Sequence, residues 1–184
     1  MVESPGSKLG SGVGSRRKVA GLRTTRVHRR RFVVTTASAV GIPRQLSHVA
    51  LRVRNLDRAV EFYTQVVGLT LRGRRDSAAF LGIREDASHE LALFELPDAA
   101  ADPDPERVGM YHMAWEMASF EELEHFHDRL VGSGARIVGY SDRQCNVMFL
   151  DPDGNELEAF WEVPREILER SREPGGTALP RLTR

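Results

Sequence analysis

The feature that most constrains the fold of this chain is a repeated pattern around two histidines. Positions 46–51 read Leu-Ser-His-Val-Ala-Leu, and positions 110–115 read Met-Tyr-His-Met-Ala-Trp. A shift of 64 positions superposes three pairs: His48 on His112, Phe62 on Phe126 and Gly68 on Gly132. An internal repeat indicates a duplicated structural unit. The sequence therefore predicts two similar modules whose histidines occupy equivalent places.

Each module is predicted to contain a strand, a helix and three further strands. Apolar and β-branched residues alternate in the segments that precede and follow each helix. The first helix is capped by Asn55, and the second by Ser119 in a capping box that ends at Glu122; glycines end them at Gly68 and Gly132. The predicted strands are 47–53, 69–74, 78–82 and 90–96 in the first module and 111–117, 136–140, 145–150 and 155–161 in the second.

These elements predict an α+β fold with two β-α-β-β-β modules, 46–97 and 109–163. The acidic, proline-containing segment 98–108 is the predicted linker between them. The eight strands are expected to form one curved mixed sheet, an open barrel, with the helices outside. A short helix and a mobile tail are predicted for 164–184.

The formal net charge of zero hides a basic N-terminal arm. Residues 1–45 contain ten Lys and Arg and one acidic residue, whereas 46–184 contain sixteen Lys and Arg and twenty-five acidic residues. The arm is rich in Gly, Ser and Arg without an apolar period, which predicts disorder. Segment 29–39 faintly resembles a twin-arginine export signal, but its apolar stretch is short, so a cytoplasmic location is the first prediction and export the weaker alternative.

Composition also limits the partners of the folded part. Cys145 is the only cysteine, so an intrachain disulfide is excluded and any metal must be held by His and carboxylate side chains. No apolar run reaches the roughly 18 residues of a spanning helix, so we expect no membrane insertion. We expect no nucleic-acid binding by the acidic folded domain.

Strand alternation places three potential metal ligands on one face. His48 lies on the side of its strand opposite Val49 and Leu51, and His112 lies likewise in the second copy. Glu158 lies on the corresponding side of the last strand. Two histidines and one carboxylate leave coordination positions open, as non-haem Fe(II) chemistry requires. The shift of 64 positions pairs Glu158 with Phe94, so a symmetric fourth ligand is absent. A structural role for each histidine alone remains the alternative.

The motifs together resemble the vicinal oxygen chelate superfamily, which includes glyoxalase I, extradiol dioxygenases and fosfomycin- and bleomycin-resistance proteins. The resemblance covers residues 46–163 and is most specific in the turn Asp151-Pro-Asp-Gly-Asn-Glu-Leu-Glu158. It is closest to the catechol 2,3-dioxygenase-type group, because segment 88–94 resembles a family segment whose histidine, here His89, handles protons. In glyoxalase-type members this strand supplies a ligand, but Glu95 lies on the wrong face.

The resemblance implies an Fe(II)-dependent enzyme that cleaves a catechol-like diol with dioxygen. It implies His48, His112 and Glu158 as metal ligands and His89 as the catalytic acid or base. Mn(II), Zn(II), Ni(II) or Co(II) are alternative ions, since ligand identity does not select iron. The family tyrosine is replaced by Met148, which cannot donate a hydrogen bond, and a polar residue expected upstream is replaced within 144–146.

Two other functions fit the same pattern. One is a non-oxidative metal-dependent isomerase, lyase or thiol transferase of the glyoxalase type. The other is a metal-free protein of the resistance type that binds a small molecule. In each case the expected partner is a small aromatic or other chelating molecule, and the resemblance also allows a homodimer.

Overall fold

The computed structural model describes residues 41–97, 100–104, 106–141 and 145–182. The chain divides at residue 42, and nearly all described residues belong to the second unit, Pro43–Arg184. Nearly all of the predicted basic arm therefore lies outside the described residues. The second unit contains these elements: β1 Val49–Val53, α1 Leu56–Glu61, β2 Thr70–Arg75, β3 Ala78–Gly82, β4 Leu91–Glu95, β5 Met113–Glu116, α2 Phe120–Ser133, β6 Arg136–Ser141, β7 Asn146–Leu150, β8 Glu156–Phe160 and α3 Arg165–Ser171.

The predicted α+β fold with two β-α-β-β-β modules is confirmed. The eight strands form two open four-stranded sheets, in the orders β1-β4-β3-β2 and β5-β8-β7-β6. In both sheets the first and last strands of the module pair in parallel, and the other neighbours are antiparallel. Both sheets also contain a register shift in the same place, just before Gly73 in one and Gly139 in the other. The duplication therefore extends to an irregularity of the backbone.

Strand alternation separates a buried face from an open face in each sheet. In β1, Leu51 and Val53 are buried while Ala50 and Arg52 are exposed. In β5, Ala114 and Glu116 are exposed, whereas Met113 and Trp115 are half-buried. His48 and His112 each lie one residue before their strand and extend the same alternation. The two histidines therefore lie on the side that the buried core does not occupy.

The two long helical segments begin at the predicted caps. The Asn55 side chain accepts a hydrogen bond from the Arg58 backbone N–H, and Ser119 accepts one from Glu122. Helix α1 continues as a π-helical turn over Phe62–Val66. The predicted end of the second helix at Gly132 is wrong, because α2 runs to Ser133 and ends at Gly134 with φ +72°. A left-handed residue ends a helix, and Gly134 rather than Gly132 adopts that conformation.

One buried core joins the two modules. The Phe149 ring in β7 lies 5.5 Å from the Phe126 ring in α2 and 6.4 Å from Phe62 in the π-helical turn. Tyr63, also in that turn, is fully buried and donates a hydrogen bond of 2.9 Å to Asp151 Oδ2 in the second module. Burial and the nearby Asp151 carboxylate raise the pKa of Tyr63 well above its usual value of 10.0.

The turn after β7 forms hydrogen bonds and ion pairs between the two modules. Asp151 Oδ1 accepts hydrogen bonds from the backbone N–H groups of Asp153 and Asn155, which close the turn. Asp153 Oδ1 accepts from the side chains of Arg54 and Arg58, at 3.3 and 2.9 Å, in the first module. Both aspartates are buried, so the turn contributes contacts between modules as well as a change of chain direction.

The segment after β8 packs on the second module. Leu168 of α3, together with Leu179 and Leu182, packs against the core. The Cys145 thiol is buried, which raises its pKa, and it contacts the Pro180 carbonyl oxygen at 3.5 Å. Within the described part of the chain, no helix is long and apolar enough to cross a bilayer.

Candidate metal centre

His112 and Glu158 form a close pair on the open face of the second sheet. The distance from His112 Nε2 to Glu158 Oε2 is 3.1 Å, and the two side chains are 29% and 14% exposed. Two ligand atoms that lie about 2.1 Å from one ion, at right angles to each other, are about 3 Å apart. The pair therefore has the spacing of two neighbouring ligands of one metal ion.

Neighbouring residues form a hydrogen bond with the Glu158 carboxylate, but none of the described residues forms one with the Nδ1 atom of His112. Asn146 is buried in β7, and its side-chain N–H donates to Glu158 Oε1. Its own Oδ1 accepts from the Ser141 backbone N–H at 2.8 Å, which fixes the orientation of the amide. By contrast, His112 Nδ1 is buried without a hydrogen-bond partner among the described residues. This nitrogen is not the one with ligand spacing to Glu158, so the ligand role of His112 rests on Nε2 alone.

His48 and His89 form a second pair in the first module. Their ring centroids lie 4.7 Å apart, and the Phe80 ring packs edge-on against His89 at 5.1 Å. Ser88 Oγ shares a hydrogen bond of 3.0 Å with His89 Nδ1. His89 precedes β4 rather than lying within it, so strand alternation does not turn it away from His48. The structure thus brings the predicted catalytic histidine to the predicted ligand.

The two pairs do not join into one complete site within the described chain. Among residues 41–97, 100–104, 106–141 and 145–182, no group of three or more His, Cys, Asp or Glu side chains could hold a metal ion. The donor types fit a divalent ion, with two imidazoles and one carboxylate. His112 and Glu158 have the spacing for it, but His48 is not in the same group. The three-ligand assignment stays a prediction.

The strand register corrects the repeat-equivalent of Glu158. Val49 pairs with Leu91, and Met113 pairs with Leu157, so β4 and β8 correspond with a shift of 66 rather than 64 positions. Glu158 therefore corresponds to Ala92 and not to Phe94. The shift changes by an even number, so the face is unchanged and the first module still lacks a symmetric carboxylate. Glu95 lies on the other face, where its Oε1 caps α1 by accepting from the Leu56 N–H.

Equivalent rows of residues cross the two open faces. The row in the first sheet is Ala50, Ala92, Phe80 and Gly73. The row in the second sheet is Ala114, Glu158, Met148 and Gly139. Met148 is thus the cross-strand neighbour of Glu158 on the ligand face. The residue that replaces the family tyrosine makes the surroundings of this carboxylate more apolar.

A family model for the Glyoxalase/Bleomycin resistance protein/Dioxygenase superfamily matches residues 45–159. The chain belongs to this superfamily. Its fold agrees with a solved glyoxalase/bleomycin resistance protein/dioxygenase domain from Frankia sp. EAN1pec, with 28% identity and a TM-score of 0.53 over 68% of this chain and all of that one. The superfamily includes dioxygenases and transferases, and binding of a divalent metal ion is typical of it.

Two relatives of this chain belong to different chemical classes. The chain is 32% identical to catechol-2,3-dioxygenase of Bacillus subtilis over 130 residues, which is 70% of this chain and 45% of that protein. It is 29% identical to the glutathione transferase FosA of Serratia marcescens over 114 residues, which is 61% of this chain and 77% of that protein. The chain thus spans less than half the length of the dioxygenase that it resembles.

Two neighbours of the candidate ligands have roles that the sequence did not reveal. Asn146 is one of them, because its side-chain N–H donates a hydrogen bond directly to Glu158. Tyr111 is the other: its ring centroid lies 4.7 Å from that of His112, and the Glu156 carboxylate raises the pKa of its phenol. Their positions beside a histidine strand and opposite β8 are the only sequence signals that point to them.

Proposed function

We propose that this protein is a metal-dependent ring-cleaving dioxygenase of the extradiol type. Its metal ligands in this proposal are His48, His112 and Glu158, and its substrate is a catechol-like diol. The observation that carries the proposal is the position of His89, whose ring lies 4.7 Å from His48. An imidazole beside the metal is suited to proton transfer near neutral pH. The 32% sequence identity to catechol-2,3-dioxygenase of B. subtilis supports the same class of reaction.

In this proposal, one group of residues binds the metal ion and His89 transfers a proton. When bound, a divalent ion such as Fe(II) supplies open positions where adjacent substrate oxygens and dioxygen meet. Asn146 keeps Glu158 in one orientation by donating a hydrogen bond to its Oε1 atom. Ser88 and Phe80 hold the His89 ring by a hydrogen bond and an edge contact. His89 is then placed to accept a proton from a substrate hydroxyl and return it after ring opening.

We expect His89→Gln to slow ring cleavage strongly while leaving metal binding intact. Iron-loaded wild-type protein should consume dioxygen with catechol, and loss of the acid–base group should lower kcat by about 100-fold to 10,000-fold. The measurement is oxygen uptake after anaerobic loading with Fe(II), with iron content determined for each protein. His125→Gln, on the exposed side of α2, is the matched histidine control. No uptake by iron-loaded wild-type protein would rule out this function, and full activity in His89→Gln would rule out the acid–base role of His89.

We propose further that the site is completed between two copies of the chain. This accounts for a ligand pair in the second module and a separate histidine pair in the first. Large apolar side chains are exposed directly before both histidine-bearing strands: Leu46, Met110 and Tyr111. A second copy that supplies His48 to the His112–Glu158 pair would cover this region.

Mixing two inactive variants tests this arrangement. In a dimer with shared sites, His48→Ala and His112→Ala chains together contain one intact site. We expect each variant alone to lose activity, and refolded equal mixtures to recover about a quarter of wild-type activity, because half of the dimers are mixed and each has one of two sites. A mixture that stays inactive while wild-type protein is active would place all three ligands in one chain.

One observation favours thiol transfer as a second candidate. The chain spans 77% of the glutathione transferase FosA of S. marcescens but 45% of the B. subtilis dioxygenase. The same ligand set would serve this chemistry with Mn(II) or Zn(II). Glutathione consumption with an epoxide substrate, in manganese-loaded protein that does not consume dioxygen, would support this function instead.

A further inference from the structure

A cavity of about 320 Å³ lies beside the candidate metal ligands on the open face of the second sheet. Ala114 and Glu158, which are cross-strand partners in β5 and β8, line one side of it. Phe160, two residues further along β8, shares their face. The remaining wall comes from the segment after β8 and from Leu168 of α3. Leu168 of α3 therefore borders a space that Glu158 also lines.

We infer that this cavity is a subsite for an uncharged apolar substituent of the substrate, and that Leu168 limits the size of that substituent. The inference rests on the proposed function for its metal and its chelating diol. Because Glu158 lines the cavity, a diol chelated by a metal ion bound to that carboxylate would have its neighbouring atoms in this space. The subsite goes beyond the ligand set, since α3 contributes no ligand.

The size and lining of the cavity define what fits. A dry cavity of 150 Å³ can hold benzene, and ligand pockets begin near 300 Å³, so this space takes one ring or a branched alkyl group. The walls are aromatic or aliphatic apart from two carboxylates, Glu158 and Glu162, and no lining residue in the described part of the chain is basic. An anionic substituent would meet like charge without a partner, which disfavours it.

Leu168 is suited to set this size limit. It is half-buried and packs against the core, so its position is fixed by the protein rather than by a ligand. Its neighbour Ile167 lies in the same helix, is 39% exposed and does not line the cavity. Changes at Leu168 alter the cavity, while the same change at Ile167 tests only the effect on the helix.

Substrate ranking in two opposite variants tests the inference. The probes are catechol, 4-methylcatechol, 4-tert-butylcatechol and the anionic 3,4-dihydroxybenzoate. Leu168→Ala should improve kcat/KM for the tert-butyl compound relative to catechol by about 10-fold, and Leu168→Phe should lower it by about 10-fold, the range expected for changes of a few methylene groups. Ile167→Ala should leave the ranking unchanged. In the wild type, 3,4-dihydroxybenzoate should be about 10-fold poorer than 4-methylcatechol.

A binding measurement separates this inference from the proposed function. Anaerobic calorimetry with zinc-loaded protein measures the affinity for the same four diols without turnover, and thermal unfolding verifies that each variant is folded. If the affinities follow the predicted order but no dioxygen is consumed, the subsite stands and ring cleavage does not. If the three variants and the wild type rank all four diols alike, or if the anionic diol binds best, the subsite is overturned.

Discussion

Glu158→Gln should reduce the affinity of the protein for divalent metal ions by more than 100-fold. Glutamine keeps the shape of the side chain and still offers an oxygen to the Asn146 N–H, so the substitution removes charge and little else. Loss of a residue that only supports a ligand costs about 10-fold to 100-fold in metal affinity, and loss of a charged ligand should exceed that. Anaerobic competition with a chelating dye, using Fe(II) and Co(II), gives the two dissociation constants.

Glu156→Gln is the matched control for this measurement. Glu156 lies in the same strand and on the same face as Glu158, two residues away, but contacts Tyr111 instead of His112. Its substitution should change metal affinity by less than about 3-fold, because only a more distant charge is removed. Equal affinity of wild type and Glu158→Gln would remove Glu158 from the ligand set.

Asp151→Ala should destabilise the folded protein by about 3–5 kcal/mol, the largest stability effect that we expect for a single polar residue. The carboxylate is buried and accepts four hydrogen bonds of 2.9 Å, from the Tyr63 hydroxyl, the Asp153 N–H, the Asn155 N–H and the Asn155 side chain. Alanine leaves these donors without their partner. Urea unfolding gives the free-energy difference, and a loss below about 1 kcal/mol would contradict the role assigned to this turn.

Tyr63→Phe isolates the contact between the modules. It keeps the buried ring and removes one hydrogen bond, so the expected loss is about 1–2 kcal/mol. The raised pKa of Tyr63 also gives a test by pH. The folded state holds this proton more tightly than the unfolded state, so its stabilisation is complete below pH 10 and decreases as the pH rises above 10. That alkaline loss should be smaller in Tyr63→Phe.

The sequence predicted the elements well because their signals are local. Asn55 and Ser119 cap helices in the predicted places, and β3 has the predicted bounds. Where two residues carry the same local signal, the sequence could not choose between them. Gly132 and Gly134 are both able to end α2, and only the backbone conformation identifies Gly134.

The repeat was predictable, but its register was not. The shift between the equivalent strands β1 and β5 is 64 positions, whereas the shift between β4 and β8 is 66, because the segments that precede β4 and β8 differ in length. A fixed shift therefore pairs Glu158 with Phe94, although the strands pair it with Ala92. The predicted face was unaffected because an even change preserves alternation.

The arrangement of the candidate site depended on information that strands alone do not contain. Alternation placed His48, His112 and Glu158 on open faces, and His112 does approach Glu158. Which open faces meet is decided by how modules pack, and here the contacts between modules are made by the π-helical turn and the turn after β7. The orientation of the His89 side chain could not be predicted for a different reason: His89 precedes β4, and strand alternation applies only within the strand.

The buried aspartates of the turn after β7 have a consequence for comparing sequences in this superfamily. Asp151 and Asp153 form the most recognisable part of the motif, yet their partners are Tyr63, Arg54 and Arg58, which fasten one half of the domain to the other. A homologue can keep Asp151 and Asp153 and catalyse a different reaction, because the contacts of these aspartates between the two modules do not involve Glu158. Reaction type should therefore be inferred from the histidine pairs and the wall beside β8, and the two aspartates should be used to establish shared ancestry.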